Sequence, residues 1–327
     1  MVFIIPQKKL DRLVSIIIPT FNRAHLIDKT LDSIIAQSYR RWECIVVDDT
    51  STDHTIDVLK KYKDERRIKY LLRPLNLLKG ANSCRNFGFK KSKGDYIIWF
   101  DSDDLMTPDH IECKLKTLIE YNVDFVISKT RNFKDGKLLE PYKYVVMDYG
   151  IKARDFILSK IHWYTYDVML TREVAENISW NPVLESWQDH NYFSKMLLKT
   201  ENGLHIDRIL TQRRIHENSI QSRLTETETT FSKGILNYRI VNFTDIGDKV
   251  DKYVQKEMIF DMMNHSFRLA SMRKRSEDIK AVKFLVLKKL GKQSLYYFNL
   301  SLIIAFLSKR GYFLLEKAKQ RNMLSPQ

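Results

Sequence analysis

The chain has 327 residues, 44% hydrophobic and 29% charged, enough to bury one generous core or a core with an appended unit. Cys44, Cys84 and Cys113 are scattered with no CxxC pair, which excludes a disulfide framework or a thiolate zinc site as the organising feature and fits a reducing compartment. The net charge of +15 is concentrated: Arg268 to Gln327 carries 14 Lys and Arg against 3 acids, so the tail is the part expected to meet something anionic.

Met1 to Pro6 is a brief apolar opening with no basic start or small-residue cleavage site, so no secretory signal is read and a cytoplasmic location is expected. Val14 to Ile18 has the pattern of a buried strand, stopped by Pro19 and followed by the loop Pro19-Thr20-Phe21-Asn22-Arg23. Leu26, Ile27, Leu31, Ile34 and Ile35 recur at helical spacing, and Trp42 to Val47 forms a second strand ending in Asp48-Asp49. Ser51 or Asp53 is the expected N-cap of the next helix. A third strand falls at Ile68 to Leu72, and Cys84 to Lys91 reads as a helix. The run Tyr96 to Phe100 is short, apolar and β-rich, and it ends abruptly in Asp101, Asp103 and Asp104.

Alternating strands and helices specify a parallel sheet with helices on both faces, in which ligands sit beyond the carboxyl ends of the strands. PTFNR, DDTS and DSDD all fall at such ends and should converge on one crevice. Like charges that close together stay ionised only when a cation or fixed donors hold them. Two readings of the acidic turn remain at this level: a divalent metal site, or a solvated turn capping the helix that Pro108 starts. No GxGxxG follows the first strand and no P-loop is present, so a dehydrogenase and a P-loop enzyme are excluded.

Taken together, Ile18-Pro19-Thr20-Phe21-Asn22, Val47-Asp48-Asp49-Thr50-Ser51, Cys84-Arg85-Asn86, Gly94-Asp95-Tyr96 and Asp101-Ser102-Asp103 resemble the inverting glycosyltransferases of family 2, with the GT-A fold, in order and in spacing. The resemblance is sharp over Val14 to Asp104, weaker to about Asn218, and does not cover the tail. It implies an α/β fold: a GT-A type nucleotide-binding, mostly parallel sheet with flanking helices over residues 1–225; the change of composition from Thr230, with long Lys- and Arg-bearing helical patterns, sets apart a helical, basic C-terminal extension over 226–327. It further implies that Pro19, Thr20, Asp49, Arg85, Asp101 and Ser102 bind a nucleotide-diphosphate sugar, Asp49 accepting the uracil N–H if the donor is a UDP-sugar. Asp103, the end of the DxD motif, would bind Mn²⁺ or Mg²⁺ bridging the two phosphates. His216, in Arg213-Arg214-Ile215-His216-Glu217-Asn218-Ser219, would be a second metal ligand.

After the acidic turn, Pro108 to Tyr121 reads as a helix and Val123 to Ser128 as a strand. Arg131 to Tyr149 is irregular and polar, with a hairpin turn at Asp135-Gly136. His162, Trp163, Tyr164 and Tyr166 lie where the family places acceptor-side structure, with core packing the reading for most of them. An in-line displacement needs a base opposite the leaving diphosphate. Asp189, in the first turn of a helix carrying Phe193, Met196 and Leu197, aligns with the aspartate of the family's Glu-Asp pair, with Gln188 replacing the glutamate and Glu185 as fallback base.

The apolar stretch Ser294 to Ser308 would reach about 22 Å as a helix, short of a hydrocarbon core of about 30 Å. Basic and apolar-faced, the tail is read as a peripheral contact with the inner face of the membrane, or as helices packed on the protein or a second subunit. The expected activity is metal-dependent transfer of a hexosyl or N-acetylhexosaminyl group from a nucleotide sugar, UDP-linked by preference, to a hydroxyl of a glycan or lipid-linked acceptor in bacterial surface polysaccharide synthesis. The alternatives are a sugar-nucleotide pyrophosphorylase, which would want a Gly-rich basic first loop, and nucleic-acid binding through the tail, which leaves the carboxylates without a purpose.

Overall fold

The first strand, β1 (Val14–Thr20), is buried at all seven positions, as an apolar run without alternation requires: both faces must be covered. β2 (Trp42–Asp48) is buried throughout in the same way. With β3 (Ile68–Leu72) and β4 (Tyr96–Trp99) they form a parallel block in the order β3-β2-β1-β4. The crossovers are the helices α1 (Ile27–Ile35), α2 (Thr55–Lys60) and α3 (Ala81–Lys91). This computed structural model describes residues 11–141, 150–216 and 227–320. The chain divides into two compact units, Met1–His216 and Glu217–Gln327. The boundary expected at 225/226 lies outside the described residues.

Successive residues of β1 serve opposite cores. Ile16 and Ile18 pack with Ile27, Leu31 and Ile34 of α1 and with Ile111 and Leu115 of α4 (His110–Tyr121). Ile17 packs on the other side with Trp99, Trp180, Tyr192 and Phe193. The register of β1 with β4 ends at Ile17 opposite Trp99, whereas that with β2 runs on to Thr20 opposite Asp48. Pro19, which has no N–H, therefore stands where β4 has already left the ladder, and its missing donor breaks no bond on that side. The same divergence opens the space beyond the strand ends.

The sheet continues through β8 (Val168–Thr171), β6 (Phe125–Lys134), β9 (Gly203–Arg214) and β5 (Leu105–Met106), with β7 (Lys137–Pro141) paired to β6. The α/β sheet with flanking helices is present, but this half is mixed. β8 runs antiparallel to β4 and β6, β5 antiparallel to β9, and β6 parallel to β9. The stretch from Arg131, expected to be irregular, is instead the end of β6 and a hairpin to β7. Asp135 and Gly136 both adopt positive φ, 49° and 77°, as a two-residue turn matched to strand twist requires. β7 is exposed at nearly every position, so no apolar alternation advertised it. Residues 142–149 of that stretch lie outside the described residues. Three helices, α5 (Ala153–Ile157), α6 (Arg172–Glu176) and α7 (Gln188–Leu197), complete the first unit among the described residues.

The second unit is helical: α8 (Glu228–Ile246), α9 (Lys252–Ser271), α10 (Asp278–Leu290), α11 (Lys292–Ser308) and α12 (Tyr312–Gln320). Thr227 and Asp251 cap α8 and α9, their side chains accepting the N–H groups of Thr230 and Val254. Gly291 (φ 95°) and Lys309 (φ 59°) turn the chain between α10, α11 and α12. The central helix α9 contacts the other four. Among the described residues, no helix is long and apolar enough to cross a membrane.

Gly88 marks how closely α3 approaches the sheet: a Cβ there would lie 2.7 Å from Ile17 Cγ2 and 3.1 Å from Val47 Cγ2. Gly88→Leu is expected to cost about 1–3 kcal/mol through overpacking. Urea unfolding measures this; a midpoint equal to the wild type would show that α3 can move away freely.

Candidate active site

The first two strand-end loops are stitched together by side chains. Asn22, at φ 52°, accepts the N–H of Thr52 at 2.8 Å and donates its own N–H to Ser51 Oγ at 2.9 Å. Arg23 N–H donates to Thr55 Oγ1, and Ala24 N–H to Asp53 Oδ2. Neither expected cap holds the N-cap position of α2, which is His54; Asp53 accepts Thr55 N–H at 2.9 Å beside it, while Ser51 serves Asp48. Thr20 is buried, yet its hydroxyl finds no partner among the described residues. A buried orphan of this kind is costly unless a ligand completes it. Beside it, Phe21 remains partly exposed under the Lys79 ammonium, 4.2 Å from the ring centroid.

Asp49 has both oxygens engaged: Arg73 Nε–H donates to Oδ1, and Gly80 N–H to Oδ2 at 2.9 Å. The Arg73 guanidinium also donates to the carbonyls of Pro74 and Leu77, so Asp49 and Arg73 together shape the loop between β3 and α3. Each carboxylate oxygen keeps a second lone pair. Arg73 was invisible as a site residue in the sequence, where it is a lone Arg after a strand.

Arg85, 5% exposed, is the hub of the far side. It donates to Asp101 Oδ1 at 2.9 Å, Gln188 Oε1 at 2.7 Å and Asn82 Oδ1 at 3.0 Å, and it lies over the Trp180 ring at 4.4 Å. Its Nε has no partner among the described residues. Gln188, the departure from the family's Glu-Asp pair, thus takes Arg85 as a neutral acceptor, while its amide nitrogen donates to the carbonyls of Leu184 and Glu185. Trp187, held at φ 49°, turns the chain into α7 immediately before it. Asp189 follows in the first turn and accepts the N–H of His190 at 2.8 Å. Burial pushes its carboxyl up to about 6, against the backbone N–H and the Arg85 charge.

The acidic turn is not a helix cap. α4 begins at His110, and Asp103 and Asp104 are engaged elsewhere. Asp103 Oδ2 lies 3.0 Å from His216 Nε2 and 3.4 Å from Arg23 Nε. Burial would raise this carboxyl, but the His216 hydrogen bond and the Arg23 charge hold it below the ordinary aspartate value. Asp101 is raised by burial, with Arg85 working against the shift. Asp104 is raised well above the ordinary value by burial and then by Asp103 and Asp101, although Arg214 N–H donates to it at 2.8 Å. Ser102 is buried between them in sequence. Arg214 also donates from Nε to the Asp103 carbonyl at 3.0 Å, and its buried Nη2 finds no partner among the described residues.

The structure therefore brings Asp101, Arg85 and the start of α7 together, and Asp103, His216 and Arg23 together. Thr20 and Asp49 lie at adjacent strand ends, joined by Asp49 N–H donating to Thr20 O at 2.8 Å. Arg23 carries no local signal in the first loop; its partnership with Asp103 is what distinguishes it. Of the aromatic group, Trp163 and Tyr166 are core residues, and Arg213 lies 5.5 Å above the Tyr164 ring.

Residues 15–178 match the family described as Glycosyl transferase family 2. The chain is 31% identical over 214 residues to the UDP-Glc:alpha-D-GlcNAc-diphosphoundecaprenol beta-1,3-glucosyltransferase WfaP of Escherichia coli, covering 64% of this chain and 80% of that protein. It spans only 36% and 19% of the length of two further curated relatives. In fold it is similar to S. aureus TarS 1-349 in complex with UDP-GlcNAc, with TM-score 0.68 and 16% identity, covering 96% of this chain and 93% of that one. It is also similar to the mannosyltransferase PcManGT of Pyrobaculum calidifontis in complex with GDP-Man and Mn2+, with TM-score 0.54 and 14% identity, covering 91% and 88%.

Asp49 and Arg73 are both nearly inaccessible to water. Arg73→Leu is expected to cost about 3–5 kcal/mol by stranding a buried carboxylate, and Asp49→Leu in the same chain to recover most of that loss. Equilibrium unfolding of the two forms measures it; equal stability of the single and double variants would show that the pair is not coupled.

Proposed function

The chain belongs to glycosyl transferase family 2, and within that family we propose that it moves one sugar from a UDP-sugar to a hydroxyl of a growing bacterial surface glycan, with inversion at the anomeric carbon. The observation that carries the reading is Asp189. Burial holds its carboxyl at about 6, where a general base is both ionised at neutral pH and basic enough to take a proton. Its neighbour Gln188 is tied through Arg85 to Asp101 at the end of β4. The base and the diphosphate-side carboxylate are thereby held in one frame.

In the proposed reaction the acceptor hydroxyl gives its proton to Asp189 while its oxygen forms a bond to the anomeric carbon. On the opposite face the bond to the UDP oxygen breaks, and UDP leaves with the electron pair. Thr20, with its unpartnered hydroxyl, and Asp49 are the proposed base-side contacts, with Pro19 and Ser102 shaping the walls. Arg85 and Asp101 are assigned to the diphosphate and ribose. WfaP is by name a glucosyltransferase using UDP-Glc and a diphosphoundecaprenol-linked acceptor, which supports a hexosyl or N-acetylhexosaminyl donor and a lipid-linked acceptor here.

A carboxylate oxygen of Asp103 and Nε2 of His216 are already turned onto one another, a donor set that suits Mn²⁺ or Mg²⁺. Among the described residues no cluster of three or more His, Cys, Asp or Glu could hold a metal by itself, so substrate oxygens and water would complete the shell. When bound, the ion supplies positive charge against the developing diphosphate. PcManGT, in complex with GDP-Man and Mn2+, supports this assignment.

Incubation with a panel of nucleotide sugars and a lipid-linked acceptor tests the activity; turnover of UDP-sugars is expected, and turnover of none would overturn it. Asp189→Asn should bind UDP as the wild type does and lose transfer by about 10²–10⁴-fold. Because the base must be ionised, wild-type kcat/KM should fall as pH drops through about 6 and level off above it, whereas an ordinary aspartate would place that limb near ~4. Asp103→Ala should abolish the Mn²⁺ dependence of UDP binding in calorimetry; retained dependence would place the ion elsewhere.

A further inference from the structure

The helix α11 is apolar around almost its whole circumference, but only part of it is covered. Phe298, Leu302 and Ala305 are buried in the second unit, whereas Tyr296, Ile303 and Leu307 are 61%, 58% and 67% exposed. The three exposed positions fall at intervals of seven and four residues, one stripe of the helix. On the neighbouring helices Phe284 of α10 and Tyr312 and Phe313 of α12 are also open to solvent. An apolar surface of this kind marks a docking face.

The charge around it identifies the occupant. From Ile279 to Gln320 the chain carries nine Lys and Arg and a single acid, Glu316, which is paired with Lys319. A two-fold contact between copies of this face would set that positive charge against itself. Nucleic acid would match the charge but leave the aliphatic Ile303 and Leu307 uncovered. An anionic lipid surface matches both, because apolar and aromatic side chains enter the acyl boundary while Lys and Arg meet the headgroups.

We propose that the face presented by α10, α11 and α12 docks the protein peripherally on an anionic lipid bilayer. The aromatic side chains Phe284, Tyr296, Tyr312 and Phe313 sit at the headgroup level, and Ile303 and Leu307 reach deeper. Lys283, Lys288 and Arg310 supply the attraction that makes docking depend on lipid charge and on salt. The inference stands independently of the sugar-transfer reading, since it concerns a separate unit and needs no acceptor.

Flotation of the full chain with vesicles tests it, using phosphatidylcholine alone and phosphatidylcholine mixed equally with phosphatidylglycerol. The wild type should float with the anionic vesicles at low salt, be released by high salt, and stay behind with the neutral ones. Ile303→Gln/Leu307→Gln/Phe313→Gln should lower the bound fraction about tenfold, and the charge reversal Lys288→Glu/Arg310→Glu should do the same. Both variants should keep the wild-type thermal transition and UDP affinity, which separates a failure of docking from a failure of the site. Equal flotation of wild type and variants would overturn the proposal. So would a lipid-free dimer, seen by light scattering, that the triple variant dissociates.

Discussion

Three carboxylates within four residues, at the end of a buried strand, are the constraint around which the rest of the first unit is arranged. Burial raises Asp101 and Asp104, and each charge makes its neighbours harder to ionise. The turn holds because cations and donors arrive from distant parts of the chain: Arg85 on Asp101, His216 and Arg23 on Asp103, and the Arg214 amide on Asp104. Taking an ion out of water costs several kcal/mol unless its lone pairs are satisfied. The arrangement keeps Asp103 below its ordinary value while leaving the others raised.

That arrangement depends on where the strands stop. β1 and β4 part after Ile17 and Trp99 while β1 and β2 continue together, so the loops after β1 and β2 lie side by side and the turn after β4 stands across a gap. Asn22 and Asp53 pin the first pair of loops to each other. Arg85, rising from α3, closes the gap by reaching both the acidic turn and the first residue of α7. The proposed transfer needs a donor pocket and a base in fixed relation, and a single guanidinium joins the acidic turn to the start of α7.

Much of this was legible in the sequence. The runs VSIIIPT, WECIVVD and YIIW read as buried strands because they lack alternation, and their polar endings located the crevice. The Asp103 and His216 pairing, 113 residues apart in sequence, came only from the resemblance. The contact of Arg85 with Gln188 came from neither, since nothing local in either segment specifies a partner 103 residues away. Arg73 was missed because a buried counterion looks like any surface arginine after a strand. The hairpin turn at Asp135-Gly136 was legible, but the strand pairing of β6 with β7 around it was not, because a solvated edge carries no periodic apolar signal. In the second unit the helical, basic character was legible, but which apolar side chains pack inward and which stay open is decided by neighbouring helices.

The central claim is that Asp103 and His216 grip a divalent ion against the diphosphate of the bound donor. A crystal of the protein grown with UDP and Mn²⁺, with data collected at the manganese absorption edge, tests it directly. The account predicts one anomalous peak within coordination distance of the Asp103 carboxylate, His216 Nε2 and both phosphates. A peak that avoids Asp103, or UDP bound away from the ends of β1, β2 and β4, would contradict it.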